Sequence, residues 1–189
     1  MVVFLVLDGL DASGKSTQAE RLMEFLVGRG SSVYIRYHPS NDCWAGVGAR
    51  RFLLCKGRSA HLVSAILYIL DVLQSIVITP WWLYEYVIFV RYLMGTAYLP
   101  SPLDRLTYRF FALTLPRPEY KFYLAVSPEE ARRRIVESRR NKEMFESLEQ
   151  LRKVGVRALS LAMMDGWIIV DANRLEEDVE RQIRENLRV

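Results

Sequence analysis

The residues from Gly9 to Ser16 have the types and spacing to hold a phosphate chain. They read Gly9-Leu10-Asp11-Ala12-Ser13-Gly14-Lys15-Ser16, a G-x-x-x-x-G-K-S pattern. Glycines at both ends let the backbone curl until successive N–H groups face an anion. A lysine after the second glycine can reach the terminal phosphates of a nucleoside triphosphate, and the serine beside it can offer a hydroxyl to Mg²⁺. Thr17 continues the same turn. Such a set binds and transfers phosphoryl groups, with ATP and Mg²⁺ as the expected cofactors. Ser16 is the candidate metal ligand. Asp8, directly ahead of the loop, is a second candidate.

A phosphate loop needs a strand to deliver the chain and a helix to carry it away, because the helix N-terminus adds its positive end to the anion site. Both are legible. Val2–Leu7 (VVFLVL) is a continuous apolar run ending at Asp-Gly, the pattern of a strand buried on both faces. From about Lys15, the residues Ala19, Leu22, Met23, Leu26 and Val27 recur at helical spacing, and Gly28 and Gly30 can end the helix. Ser32–Tyr37 (SVYIRY) predicts a second strand. The alternation continues with a helix over Leu62–Ile78, a strand Tyr86–Val90, a helix Leu103–Leu113 and a strand Lys121–Val126. Pro128 opens a charged helix, Glu129–Arg140. A helix from roughly Met144 to Met163, a strand Trp167–Val170 and a helix Glu176–Leu187 follow. The expected fold is α/β, a three-layer P-loop NTPase fold with a mostly parallel five-stranded sheet flanked by helices. No linker divides the 189 residues, so a single domain over 1–189 is expected.

Composition narrows the classes. A hydrophobic share of 51% against 25% charged residues supports a real core and excludes a disordered protein. The net charge of +4 could draw polyanions, but it equally describes a mixed solvated surface, and no nucleic-acid partner is expected. Cys43 and Cys55 form no C-x-x-C pair, and His38 and His61 are the only histidines, which argues against zinc. Isolated thiols suit a reducing, cytoplasmic compartment. The apolar run Leu62–Ile78 is broken by Asp71 and Gln74 and followed by Pro80, so it reads as a buried or subunit-facing helix and not a membrane span. No N-K-x-D signature follows any strand, which disfavours a GTPase.

Phe4 to Asp8, then Gly9-Leu10-Asp11 and Gly14-Lys15-Ser16-Thr17-Gln18, resembles the opening of thymidylate kinases, a strand followed by E-G-x-D-G-x-G-K-S-T-Q. Weaker likenesses follow in the same order along nearly the whole sequence. Gly46 and Arg50 resemble a G-x-x-I-R segment, and Arg91-Tyr92 with Ala97-Tyr98 resembles D-R-Y-x-x-S-x-x-A-Y. Val126-Ser127-Pro128-Glu129 and Arg134 resemble the approach to the family's lid, Phe145-Glu146 the F-E beyond it, and Val170-Asp171-Ala172 the last strand's I-D-A. The resemblance implies a nucleoside monophosphate kinase that uses ATP and a (deoxy)nucleoside monophosphate.

Residue roles come with it. Gly9 through Thr17 would hold ATP, and Arg134 would stack on the adenine. Asp11 would also contact the acceptor's sugar, or else only stabilise the loop as a turn-former. Arg50 would hold the acceptor phosphate, or be a plain surface charge. Tyr68 would stack on the acceptor base, or pack within its own helix. Tyr98 belongs with the acceptor group. Lys15 and Arg91 would face the transferring phosphates. Arg139 and Arg140 would close over them from a lid at about 136–146, or form part of a solvated basic face. The family pairs through helices near residues 62–86, so a homodimer is expected.

Four positions depart from the pattern. Val90 stands where Asp precedes Arg91, and the D-R pair of the helix over Leu62–Ile78 is Asp71-Val72. The R-E-P after the second strand is Tyr37-His38-Pro39, and the D-R before F-E is Glu143-Met144. The phosphate loop is intact, while the acceptor and metal sides are altered. Two other readings therefore stand beside the leading one: an ATP-binding protein with weak or no transfer, and a kinase for another small acceptor.

Overall fold

The computed structural model describes residues 2–53, 58–138 and 147–187. In sequence order the elements are β1 (Val3–Gly9), α1 (Lys15–Gly28), β2 (Val33–Tyr37), α2 (Trp44–Leu53), α3 (Arg58–Ile78), β3 (Tyr86–Val90), α4 (Leu103–Thr114), β4 (Tyr120–Ala125), α5 (Pro128–Ser138), α6 (Leu148–Met164), β5 (Ile168–Asp171) and α7 (Glu176–Asn186). Short 3₁₀ turns at Trp81–Leu83 and Met94–Tyr98 flank β3. The strands form one five-stranded parallel sheet in the order β2-β3-β1-β4-β5.

The apolar run of β1 is explained by its place. It is the central strand, paired with β3 through Leu7 opposite Val90 and with β4 through Leu5 opposite Tyr120. Residues 4–8 are all buried. Leu5, Leu7, Ile88, Phe89, Phe122 and Leu124 build the sheet's share of the core, and Leu22 and Leu26 bring α1 onto it. Phe4 meets Trp81 and Phe89 edge-on, each with ring centroids 5.1 Å apart. Offset and edge contacts of this kind add to what burial alone contributes.

One helix escaped the periodicity. α2 carries Gly46 and Gly48, and glycine within a helix weakens the local helical signal. The structure gives Gly46 a reason: a Cβ there would lie 2.4 Å from the backbone oxygen of Ser40. The helix and the loop after β2 approach so closely that only glycine fits.

Asp71, which interrupts the apolar run of α3, is fully buried. Its carboxylate accepts from the Ser40 N–H at 2.7 Å, the Ser40 hydroxyl at 2.5 Å and the Cys43 thiol at 3.0 Å. The charge therefore anchors the loop between β2 and α2. Ile66, Leu70, Leu73 and Val77 lie on one face of α3 and stay exposed. No helix among the described residues is long and apolar enough to cross a membrane. The predicted helix from Met144 is described from Leu148, where the Ser147 hydroxyl caps it by accepting from Gln150 N–H. Cys55, Glu143, Met144, Phe145 and Glu146 lie outside the described residues.

Candidate active site

In a parallel sheet the loops at the carboxyl ends of neighbouring strands converge, and ligands bind there. Leu7 pairs with Val90, so the loop after β1 and the turn after β3 leave the sheet side by side. The first is the predicted phosphate loop, Gly9 to Ser16. Gly14 adopts φ 90° and Ala12 φ 58°, both left-handed. These conformations turn the backbone into α1, whose first residue is Lys15.

Lys15 is 5% exposed and lies over the loop. Its ammonium donates to Gly9 O at 3.0 Å, to Leu10 O, and to Ser13 Oγ at 3.4 Å. Ser16, on the first turn, is exposed. On the side towards β5, Arg134 of α5 reaches across the loop. Its guanidinium donates to Ala172 O at 3.0 Å and to Ala12 O at 3.5 Å, with Nε on Glu130 at 2.7 Å.

On the β3 side, the structure brings three predicted residues together. Asp11, buried within the loop, is ion-paired with Arg91 through Oδ1. Its Oδ2 accepts from the Tyr98 hydroxyl at 3.2 Å. Burial works against the Arg91 charge, but the Asp11 carboxylate holds its pKa above the ordinary arginine value. Tyr68, on α3, donates its hydroxyl to Tyr92 O at 3.3 Å. A Cβ on Gly95 would lie 2.5 Å from the Tyr68 ring, so the ring and the 3₁₀ turn approach closely. Arg50, of α2, donates its guanidinium to Pro39 O at 2.6 Å, on the loop after β2. Arg139 and Arg140 lie outside the described residues, as does most of the predicted lid.

Asp8 and His38 do more than the sequence suggested. Asp8 ends the buried run of β1. Its Oδ1 accepts from Gly9 N–H at 2.9 Å, and its Oδ2 from Tyr92 N–H at 2.8 Å and Met94 N–H at 3.1 Å. Burial raises its pKa, against the pull of these N–H groups and of Lys15. His38 Nδ1 lies 2.8 Å from Arg91 O. Burial pulls its pKa down to about 4, against the nearby Asp71 charge, so the imidazole is neutral. The signal for both was thin: a carboxylate at a strand end, and a histidine where another residue was expected.

No group of three or more His, Cys, Asp or Glu side chains among the described residues could hold a metal by itself. The oxygen donors present fit a hard cation carried chiefly by phosphate oxygens and water, as Mg²⁺ is in phosphotransfer sites. The Ser16 hydroxyl is free to face it. Asp8, already accepting three N–H groups, fits as a carboxylate acting through water.

The thymidylate kinase family model matches residues 7–183. The chain is 28% identical to a thymidylate kinase of Plasmodium falciparum over 191 residues, covering 95% of this chain and 87% of the relative. It is 30% identical over 196 residues to a protein of Staphylothermus marinus named "Probable thymidylate kinase", covering 97% and 96%. A thymidylate kinase of Leptospira borgpetersenii is 30% identical over 170 residues, covering 80% and 77%.

Proposed function

The chain belongs to the thymidylate kinase family, and from that premise we propose that it transfers the γ-phosphoryl group of ATP to thymidylate. The reaction class is ATP-dependent phosphoryl transfer to a nucleoside monophosphate, yielding ADP and the diphosphate. An acceptor phosphate oxygen attacks the γ-phosphorus in line, the bond to the β–γ bridging oxygen breaks, and ADP leaves. No covalent enzyme intermediate is needed. The protein's task is positioning and charge neutralisation.

The observation that carries this reading is the junction of Asp11 with Arg91 and Tyr98. It joins the phosphate loop to the turn after β3, so donor and acceptor groups share one wall. In this reading the loop N–H groups and Lys15 hold the β- and γ-phosphates. Lys15 exchanges loop oxygens for phosphate oxygens as it does so. Arg91 faces the transferring group, while Asp11 and Tyr98 meet the acceptor's sugar. Arg134 lies against the adenine, and Tyr68 against the acceptor base. Arg139 and Arg140 are proposed to close over the phosphates. Arg50, turned onto Pro39 O, serves the acceptor side by fixing the loop after β2. Mg²⁺, held by Ser16 with Asp8 beyond it, would neutralise charge on the β- and γ-phosphates. The exposed apolar face of α3 supports pairing of two copies, and a cytoplasmic location suits the nucleotide substrates.

The test is coupled ADP release over a panel of monophosphates with ATP and Mg²⁺. Thymidylate should be turned over well above the ATPase background. If thymidylate and every other monophosphate fail to raise ADP release, the reading is wrong.

A further inference from the structure

We infer that His38 is a positioning residue for Arg91: its Nδ1–H holds the Arg91 carbonyl and so fixes the backbone turn that aims the guanidinium at Asp11. Arg91 has φ 69°, and Ala12 is the other non-glycine residue with positive φ among those described. A residue with a Cβ seldom enters this region, and it stays there only when its surroundings over-determine it. Three contacts do so here. The Arg91 N–H donates to Leu7 O at 2.9 Å, its guanidinium is paired with Asp11, and its carbonyl meets His38 Nδ1 at 2.8 Å. The next N–H, of Tyr92, donates to Asp8 at 2.8 Å. The peptide between residues 91 and 92 is thus gripped at both ends: the oxygen by His38, the N–H by Asp8.

The imidazole's own bonding supports the assignment. A carbonyl only accepts, so Nδ1 must carry the proton and Nε2 is a bare lone pair. His38 is 4% exposed, and Nε2 is buried with no hydrogen-bond partner. It sits against Phe89 and Tyr68, with ring centroids 5.1 and 6.4 Å away. A phenyl or leucyl side chain would fill such a place without an orphaned acceptor. The property an imidazole adds here is the Nδ1–H. Its mounting is rigid as well. The His38 N–H donates to Val90 O at 3.0 Å, Arg50 holds Pro39 O, and Asp71 holds Ser40. Three consecutive residues of the loop are therefore fixed from β3, α2 and α3.

The assignment rests on the reading that Arg91 faces the transferring phosphates. The experiment compares wild type, His38→Leu and His38→Asn, each with and without Arg91→Ala. It measures thymidylate-dependent ADP release and, by calorimetry, the affinity for a non-hydrolysable ATP analogue. Asparagine carries an N–H where histidine carries Nδ1–H. His38→Leu should lower kcat by about 10²-fold, the effect of an ångström-scale misplacement, and leave analogue affinity unchanged. His38→Asn should recover most of that loss. In the Arg91→Ala background, His38→Leu should cost nothing further. Equal losses in the leucine and asparagine variants, or losses that add to that of Arg91→Ala, overturn the assignment. If the wild type turns over no monophosphate, the transfer reading fails, but a crystal structure of His38→Leu still decides this one. Arg91 released from Asp11 with the 91–92 peptide rotated is expected; both unchanged overturns it.

Discussion

Arg91 bears two costs that two substitutions can separate. Arg91→Ala removes the guanidinium but keeps a Cβ at φ 69°; Arg91→Gly removes both. The Arg91 side chain is 24% exposed and that of Asp11 4%. Breaking a buried ion pair by deleting one partner costs about 3–5 kcal/mol, and the partial exposure of the arginine brings the expected loss to about 2–3 kcal/mol. Tyr98 still donates to Asp11 in both variants. A left-handed backbone costs an L-residue about 1–2 kcal/mol, of which glycine's greater freedom in the unfolded state cancels about 0.5–1 kcal/mol. Arg91→Gly should therefore be more stable than Arg91→Ala by about 0.5–1 kcal/mol. Urea unfolding with a shared m-value reads both differences. An alanine variant within about 0.5 kcal/mol of wild type, or a glycine variant clearly less stable than the alanine one, would refute the reasoning.

Other expectations follow from the same geometry. His38 is neutral when folded, with its pKa pulled to about 4 from an ordinary 6.5. Between these values the unfolded protein binds the extra proton, so stability should fall by up to about 3 kcal/mol as pH drops through the window; urea midpoints should lose that contribution in His38→Asn. Gly46→Ala would set a Cβ 2.4 Å from Ser40 O and should cost about 1–3 kcal/mol by thermal unfolding, and a neutral result would show that the loop gives way. Arg134→Ala should weaken ATP-analogue binding about tenfold by calorimetry and leave thymidylate binding unchanged, whereas equal loss of both ligands would place Arg134 elsewhere.

The strongest signals in the sequence were those in which one local cause decides the structure. β1 and β3 were readable because a strand buried on both faces must be apolar throughout, and the turn from β1 into α1 because glycine marks the left-handed backbone that Gly14 adopts. The junction of Asp11 with Arg91 and Tyr98 was foreshadowed residue by residue, but its geometry depends on segments 80 residues apart in the sequence being neighbours. α2 was hidden because tertiary closeness, not helix propensity, chose Gly46. Asp71 looked like a flaw in an apolar helix, and only the fold reveals the Ser40 loop that it satisfies. His38 carried no periodicity at all, since its bond to a backbone carbonyl leaves no mark in the sequence of its partner.

The position of β1 in the sheet has a consequence for how such a protein diversifies. On one flank lie β3 and β2, with α2 and α3, all drawn from residues 33–90; on the other lie β4 and β5, with α5 and α6, drawn from residues 120–171. On the proposed reading, the first block chooses what receives the phosphoryl group and the second grips the donor. The two meet at a loop of a few residues. Mutation can therefore rewrite the choice of acceptor without disturbing the hold on ATP. Of the four departures, those at His38, Val72 and Val90 fall in the first block and the one at Glu143-Met144 falls in the second, so the acceptor side has changed more than the donor side.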